Sequence, residues 1–254
     1  MRIHKSGHEI CSVEDWHLWA PPKKRTLHWR DGRSAKELAR SWFRSGMPTP
    51  PDELRSLMEK TFGTGIVFEE AEPERIIQLD EFKGEQRNCD LVIACKRESQ
   101  RIVVSVEAKA DEPFGDSATG DYYDRKLQTR SKVPKRIEQL SAALFGTHLD
   151  GTIRKLRYQL LHSAVGALIA AADQKANCAV FLVHEFYSSK LNSEKVDQNM
   201  AHWTAFVRAF PDLARAAVER NQVLGPISVP GYGRVTGSIP LYLGNVFSVL
   251  PPRA

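Results

Sequence analysis

The stretch Asn88–Lys109, NCDLVIACKRESQRIVVSVEAK, decides how this chain is read. Cys89–Cys95 and Ile102–Lys109 are dense in Val, Ile and Leu, whereas Lys96–Arg101 between them is wholly polar. Two apolar runs joined by a short polar connection predict a β-hairpin. With the hairpin centred on that connection, Cys95 faces Ile102, and counting outward sets Asp90 opposite Glu107. Directly opposed residues have Cβ atoms about 4.5–5.5 Å apart. Carboxylates at that spacing repel unless one is protonated or a cation lies between them. Lys109, two residues past Glu107, shares its face because side chains alternate along a strand. The reading is therefore two carboxylates and an ammonium gathered at one end of an apolar hairpin. Strands this apolar are expected to be covered on both faces, where a charge needs a reason. Just beyond, the chain turns acidic again at Asp111 and Glu112.

At 254 residues the chain is long enough for one large domain or two small ones. A net charge of +5 and a pI near 9.0 mildly favour an anionic partner such as nucleic acid. The N-terminus, MRIHKSGHEI, has no apolar run of the signal-peptide kind. The longest uncharged apolar stretch, Ala164–Ala172, falls far short of the about 20 residues that span a bilayer, so no membrane association is expected. Cys11, Cys89, Cys95 and Cys178 show no CxxC spacing. Three of them fall in predicted strands as small buried hydrophobes, which fits a reducing, cytoplasmic setting.

Upstream of the hairpin, residues 1–33 read as an irregular N-terminal extension carrying Trp16, Trp19, Pro21, Pro22, Lys23, Lys24, Arg25 and Trp29. Such a segment either stacks on bases or packs its tryptophans onto the domain, and the second is the preferred reading. His8, Cys11 and His17 match no zinc spacing. Ser34–Ser45 reads as a helix capped by Ser34, with Glu37 at the capping-box position rather than in a catalytic role. Pro51–Phe62 reads as a second helix, ended by Gly63 and Gly65. Ile66–Glu70 and Ile76–Leu79 are strand-like. Glu69 or Glu70 could face the Asp90 cluster, though an exposed strand end is preferred for both.

Downstream, Ala110–Asp121 is a polar connection, followed by a helical stretch through Phe145. Arg125, Lys126, Arg130, Lys132, Lys135 and Arg136 fall in that stretch with no acid among them. The run is either a solvated face or a set of phosphate contacts. Ile153–Ala172 is the clearest helix, with an apolar stripe through Leu156, Leu160, Ala164, Ala167, Leu168 and Ala171. Cys178–His184 reads as a buried strand, then come helices near Asn192–Phe210 and Leu213–Asn221 and a last strand near Ile239–Phe247. The glycine-rich Gly231–Gly237 lacks the P-loop lysine and reads as a turn. With no repeat or linker, residues 34–254 are expected to form one domain.

On Asp90 and Glu107-Ala108-Lys109 the chain resembles the PD-(D/E)XK nuclease superfamily. Its signature is an Asp at the start of one strand and Glu-x-Lys on the next, here separated by sixteen residues. Asn88-Cys89 precedes Asp90 where the name-giving Pro would stand. The resemblance implies an α/β, restriction-endonuclease-like fold, a mixed central sheet flanked by helices in the order helix-strand-strand-strand-helix-strand. It implies metal-dependent hydrolysis of phosphodiester bonds, foremost of DNA, with a homodimer as one arrangement. Asp90, Glu107 and the Ala108 carbonyl would hold Mg²⁺ or Mn²⁺, for which hard oxygen donors are suited. Lys109 would orient the attacking water or stabilise developing negative charge. The helix after Glu-x-Lys often adds a polar residue in that superfamily, here Gln159 first and Tyr158 second, while His162 reads as a satisfied core histidine. The alternatives are an inactive nucleic-acid-binding or assembly protein that keeps the fold, and an unrelated α/β enzyme whose match is accidental.

Overall fold

Eight strands form one mixed sheet: β1 (Arg2–Lys5), β2 (His8–Glu9), β3 (Val67–Ile77), β4 (Arg87–Arg97), β5 (Gln100–Lys109), β6 (Cys178–Tyr187), β7 (Gln222–Ile227) and β8 (Leu241–Val249). Their spatial order is β2-β1-β3-β4-β5-β6-β8-β7. The helices are α1 (Val13–Trp19), α2 (Arg25–His28), α3 (Ser34–Trp42), α4 (Asp52–Phe62), α5 (Thr119–Leu127), α6 (Val133–Phe145), α7 (Tyr158–Asp173) and α8 (Ser193–Arg208). This computed structural model describes all residues except 24, 111, 189–192 and 251–254. Lys24 and Asp111, named above, lie outside the described residues.

The hairpin β4–β5 sits at the centre, with Cys95 opposite Ile102 and Leu91 opposite Val106 as the polar connection predicted. β3 pairs antiparallel with β4, and β5 pairs parallel with β6 through the long crossover that contains α7. Residues alternate between two cores. Ile102, Val104 and Val106 join Leu38 and Trp42 of α3 and Leu54 and Met58 of α4 on one face. Val103, Phe181 and Val183 meet α7 and the Trp203 and Phe206 rings of α8 on the other. The sheet is thus covered on both faces, which accounts for strands that are apolar at nearly every position.

α7 carries no charge before Asp173, and its side chains from Leu160 to Ala171 are buried apart from His162. Gly166 interrupts it where the Arg87 side chain passes: a Cβ there would lie 3.3 Å from Arg87 Cγ. A mid-helix glycine costs about 1 kcal/mol against alanine. Here the bare backbone makes room for a buried arginine.

Several elements differ from the reading of the sequence. The two strand-like pieces before the hairpin are one strand, β3, which runs through Pro73. β1 reaches only to Ala71 on that side, so Pro73 withholds an N–H from an edge that has no partner. The helical stretch through Phe145 is two helices, α5 and α6. The helix expected from Ile153 begins as a single 3-10 turn, Ile153–Lys155, and Leu156 is extended (ψ 155°). The cause is tertiary: Leu156 O accepts from both the backbone N–H and the hydroxyl of Thr119, each at 2.8 Å, and Ala118 bridges Arg157. Ser34 is the first residue of α3 rather than its cap, and Glu37 Oε1 instead accepts the Gly32 N–H at 2.7 Å. The segment expected to be a helix near Leu213–Asn221 is not helical: a single 3-10 turn, Pro211–Leu213, ends where it would begin.

The extension Met1–Arg33 is not wholly irregular. It adds β1 and β2 to the sheet edge, and α1 buries Trp16 against the core. The Gly231–Gly237 turn is present, closed by a bridge between Tyr232 and Val235. Among the described residues no helix is long and apolar enough to cross a membrane.

Candidate active site

The β3–β4 and β4–β5 registers together align three acids. Pro73 opposes Leu91 and Arg75 opposes Cys89, so Glu74 falls against Asp90. The last β4–β5 pair is Leu91 with Val106, and the next step sets Asp90 against Glu107. Glu74, Asp90 and Glu107 therefore form a row across three adjacent strands, on the face that meets α7. One position further, Lys109 of β5 lies in parallel register with Glu185 of β6.

Glu107 is the hub. Its Oε1 accepts from Lys109 Nζ at 2.7 Å and from Gln159 Nε2 at 2.5 Å. Its Oε2 accepts from Arg87 Nη2 and, at 3.4 Å, from Ser163 Oγ. Burial would raise the Glu107 carboxyl, but the Lys109 and Arg87 charges outweigh it and hold the group down at about 2. Lys109 is 6% exposed, with its ammonium 5.7 Å from the Phe114 ring centroid. Burial alone would discharge it, and the Glu107 and Asp90 charges overcome this and raise its affinity for the proton. Lys109 is thus a fixed cation, unsuited to take a proton as a general base.

Asp90 behaves in the opposite way. Its Oδ2 accepts the Ala108 N–H at 2.7 Å, yet burial first and the Glu107 charge second push its carboxyl up to about 7. Glu74 is raised to about 8 by burial and by the neighbouring Asp90 charge. The Asn88 amide donates to Glu74 Oε2, and Lys5 Nζ donates to the Glu74 carbonyl at 2.7 Å. Glu74 is also left-handed (φ 49°), uncommon for a residue other than glycine, asparagine or aspartate and frequent at functional positions. Glu185, 3% exposed, is raised to about 7 by burial against the pull of Arg220 and Lys109.

Buried polar atoms are nearly always hydrogen-bonded, so those left alone point to a missing partner. Of six such atoms among the described residues, four belong to this neighbourhood: Asn88 Oδ1, Gln159 Oε1, His162 Nδ1 and Glu185 Oε2. Two cavities flank the segment Glu85–Asn88. One, of about 390 Å³, is lined by Arg87, Tyr122, Lys132, Tyr158 and His162 among others. The other, of about 400 Å³, is lined by Lys5, Trp19, Ile76 and Glu74 among others.

Asp90, Glu107, Lys109 and Gln159 are thus brought together as the sequence predicted. Glu74, Arg87, Ser163 and Glu185 are additional. Glu69 and Glu70 do not join them: they lie beside Ala94, further along the β3–β4 pairing than Asp90, and Glu70 pairs with Arg2 at 3.2 Å. Tyr158 and His162 contact each other edge to face, 4.9 Å between centroids, at one wall of the first cavity. The sequence predicts a satisfied histidine at His162, but its Nδ1 has no hydrogen-bond partner, and burial with the Arg87 charge lowers it to about 3.

The basic run does not act as one face. Arg136 is buried in an ion pair with Asp80 and donates to the Glu85 carbonyl at 2.7 Å, so it is a structural cation rather than a surface phosphate contact. Arg125, Arg130, Lys132 and Lys135 are exposed and Lys126 is half-buried. Arg125 and Lys126 rest on the Tyr122 ring at 5.2 and 5.6 Å. In the extension, His8 stacks on Trp19 at 3.5 Å and His17 on Trp29 at 4.7 Å. These histidines are packing groups.

The chain belongs to a family described as a domain of unknown function, DUF6946, whose model matches residues 9–247. No curated protein and no solved structure matches it.

Proposed function

We propose that this chain is a metal-dependent nuclease of the PD-(D/E)XK type, acting on DNA. The observation that carries the reading is the row Glu74–Asp90–Glu107, closed by Lys109, at one end of the central strands. The order α4, β3, β4, β5, α7, β6, with α5 and α6 inserted before α7, supports it as well, because without that insertion it is the restriction-endonuclease-like order implied by the Asp and Glu-x-Lys signature.

Whether a divalent cation suits these residues is answered by their chemistry. Asp90 and Glu74 are buried carboxyls, the first raised by the Glu107 charge and the second by the Asp90 charge, and a cation among them would relieve that repulsion. All the oxygens are hard donors of the kind Mg²⁺ and Mn²⁺ prefer. Glu107 is engaged by Arg87 and Lys109, and no ready cage of three ligands exists among the described residues, so a cation must compete with Arg87. Asp90 and Glu107 would hold the ion, with Glu74 and the Ala108 carbonyl as further donors. When bound it would polarise the phosphate and acidify a water.

The chain's own groups do the rest. Lys109, held cationic by Glu107, stabilises negative charge developing on phosphate oxygens. Gln159 fixes the Glu107 carboxylate through Oε1, and its own unpartnered Oε1 is placed to accept from a water. The decisive experiment is Lys109→Ala. It should lose plasmid cleavage and keep DNA binding, and a variant that cuts like wild type would remove the assignment.

A second reading is favoured by one contact. Arg87 occupies Glu107 Oε2 as a resident cation. A chain in which it never yields would be an inactive nucleic-acid-binding or assembly protein, and would show no metal-dependent cleavage at all.

A further inference from the structure

We infer that the cavity beside Arg87 is a pocket for one unpaired nucleotide of the substrate strand. The inference rests on the nuclease reading for the identity of its ligand, and on separate observations for its shape. The cavity, about 390 Å³, lies between the segment Leu79–Asn88 and the helices α5, α6 and α7. It is of the size class of small-ligand pockets, about 300–1,000 Å³, and far too small for a duplex.

Its walls supply the contacts a nucleotide needs. Tyr122 and Tyr158, 5.0 Å between centroids, form an aromatic wall. Asn88 and His162 line it too, each with a buried polar atom, Oδ1 and Nδ1, that no protein group satisfies. His162 is neutral, so its ring offers one donor and one acceptor. Lys83 and Lys132 line the same cavity with exposed side chains. An aromatic face beside lysines and unsatisfied polar groups is the chemistry that takes a base on its face and edge and its phosphate on the ammonium groups. Within a duplex that base face is already stacked, so the ligand is unpaired: a single strand, an overhang or a flipped base.

The pocket is joined to the acids by Arg87, which lines the cavity and donates to Glu107. A strand whose base sits on Tyr122 and Tyr158 passes its phosphate beside the residue that blocks Glu107. An incoming phosphate gives the Arg87 guanidinium an alternative partner.

The test is binding of a labelled single strand of DNA, an RNA strand of the same sequence and a blunt DNA duplex to the full chain in EDTA. We expect a single strand, of either sugar, to bind about tenfold more tightly than the duplex, with Tyr122→Ala and Lys132→Ala each losing about tenfold and Tyr122→Phe losing little. Equal binding of strand and duplex overturns the pocket, as does wild-type strand binding by a Tyr122→Ala protein whose circular dichroism shows it folded. Because no metal is present, this failure is separate from that of the nuclease reading, which falls if wild type binds the strand in this way but cuts no substrate with Mg²⁺ or Mn²⁺.

Discussion

The Asp90 carboxylate accepts a 2.7 Å hydrogen bond from the backbone N–H of Ala108, the residue between Glu107 and Lys109. This bond ties the start of one strand to the Glu-x-Lys of the next. It holds Asp90 against Glu107 despite their like charge, since a buried charge-assisted hydrogen bond is among the stronger ones. The site is therefore strained electrostatically, and the strain has consequences for each residue around it.

Arg87 is the first. Arg87→Met leaves Glu107 with Lys109, Gln159 and Ser163 only. Breaking a buried ion pair costs about 3–5 kcal/mol, and with Lys109 still in place the lower figure applies. That corresponds to a fall in Tm of about 6–12 °C. The same variant should bind Mn²⁺ more tightly, because the resident cation is gone from Glu107 Oε2. Thermal unfolding and calorimetric titration check both, and an unchanged Tm or weaker Mn²⁺ binding would contradict the competition.

Gln159→Leu removes the 2.5 Å bond to Glu107 Oε1 while Lys109 remains on the same oxygen. Folding should suffer by about 1.5 kcal/mol, the lower end for a bond to a charged group. Cleavage should slow by about tenfold with DNA affinity unchanged, because Gln159 positions Glu107 and does not contact the strand. Loss of DNA binding in step with cleavage would make Gln159 a substrate contact instead.

The pH dependence of the metal-free protein follows from Asp90 and Glu74. In the folded chain they keep their protons up to about 7 and about 8, raised by burial and then by the neighbouring acid. In the unfolded chain they release them near 3.8 and 4.5. The folded state thus binds more protons in this window, and stability falls as pH rises through it. Glu107, burial outweighed by Lys109 and Arg87, has the reverse sign and loses its contribution only in acid, between 4.5 and about 2. We predict a lower Tm at about pH 8.5 than at about pH 6, and a flatter profile with a higher Tm at about pH 8.5 for Asp90→Asn. A wild-type Tm that rises over this range would refute it.

Part of this arrangement was legible in the residues and part was not, for physical reasons. A wholly polar connection between two apolar runs leaves one register for the hairpin, and a one-residue slip would have turned every side chain to the other face. Asp90 and Glu107 were therefore readable as a pair. Gln159 was readable only through the resemblance, which implies a polar residue on the helix after Glu-x-Lys. Glu74 was not, since Pro73 beside it made β3 look broken. Arg87 stood outside the apolar run, and its burial depends on Gly166, distant in sequence. Arg136 resembles its basic neighbours in local sequence, and the Asp80 that neutralises it lies 56 residues earlier. β7 contains Gly225 and Pro226, which argue against a strand in any local reading, and it survives only as an edge.

The measurement that bears most directly on the central claim is a Mg²⁺ and Mn²⁺ titration of wild type and Asp90→Asn, with metal binding and plasmid cleavage followed on the same samples. The account predicts that wild type binds the metal and cleaves. It predicts that Asp90→Asn, folded and more stable at about pH 8.5, does neither to within about a hundredfold. Metal binding and cleavage unaffected by the substitution would contradict it, as would a wild-type chain that binds neither ion at millimolar concentration with DNA present.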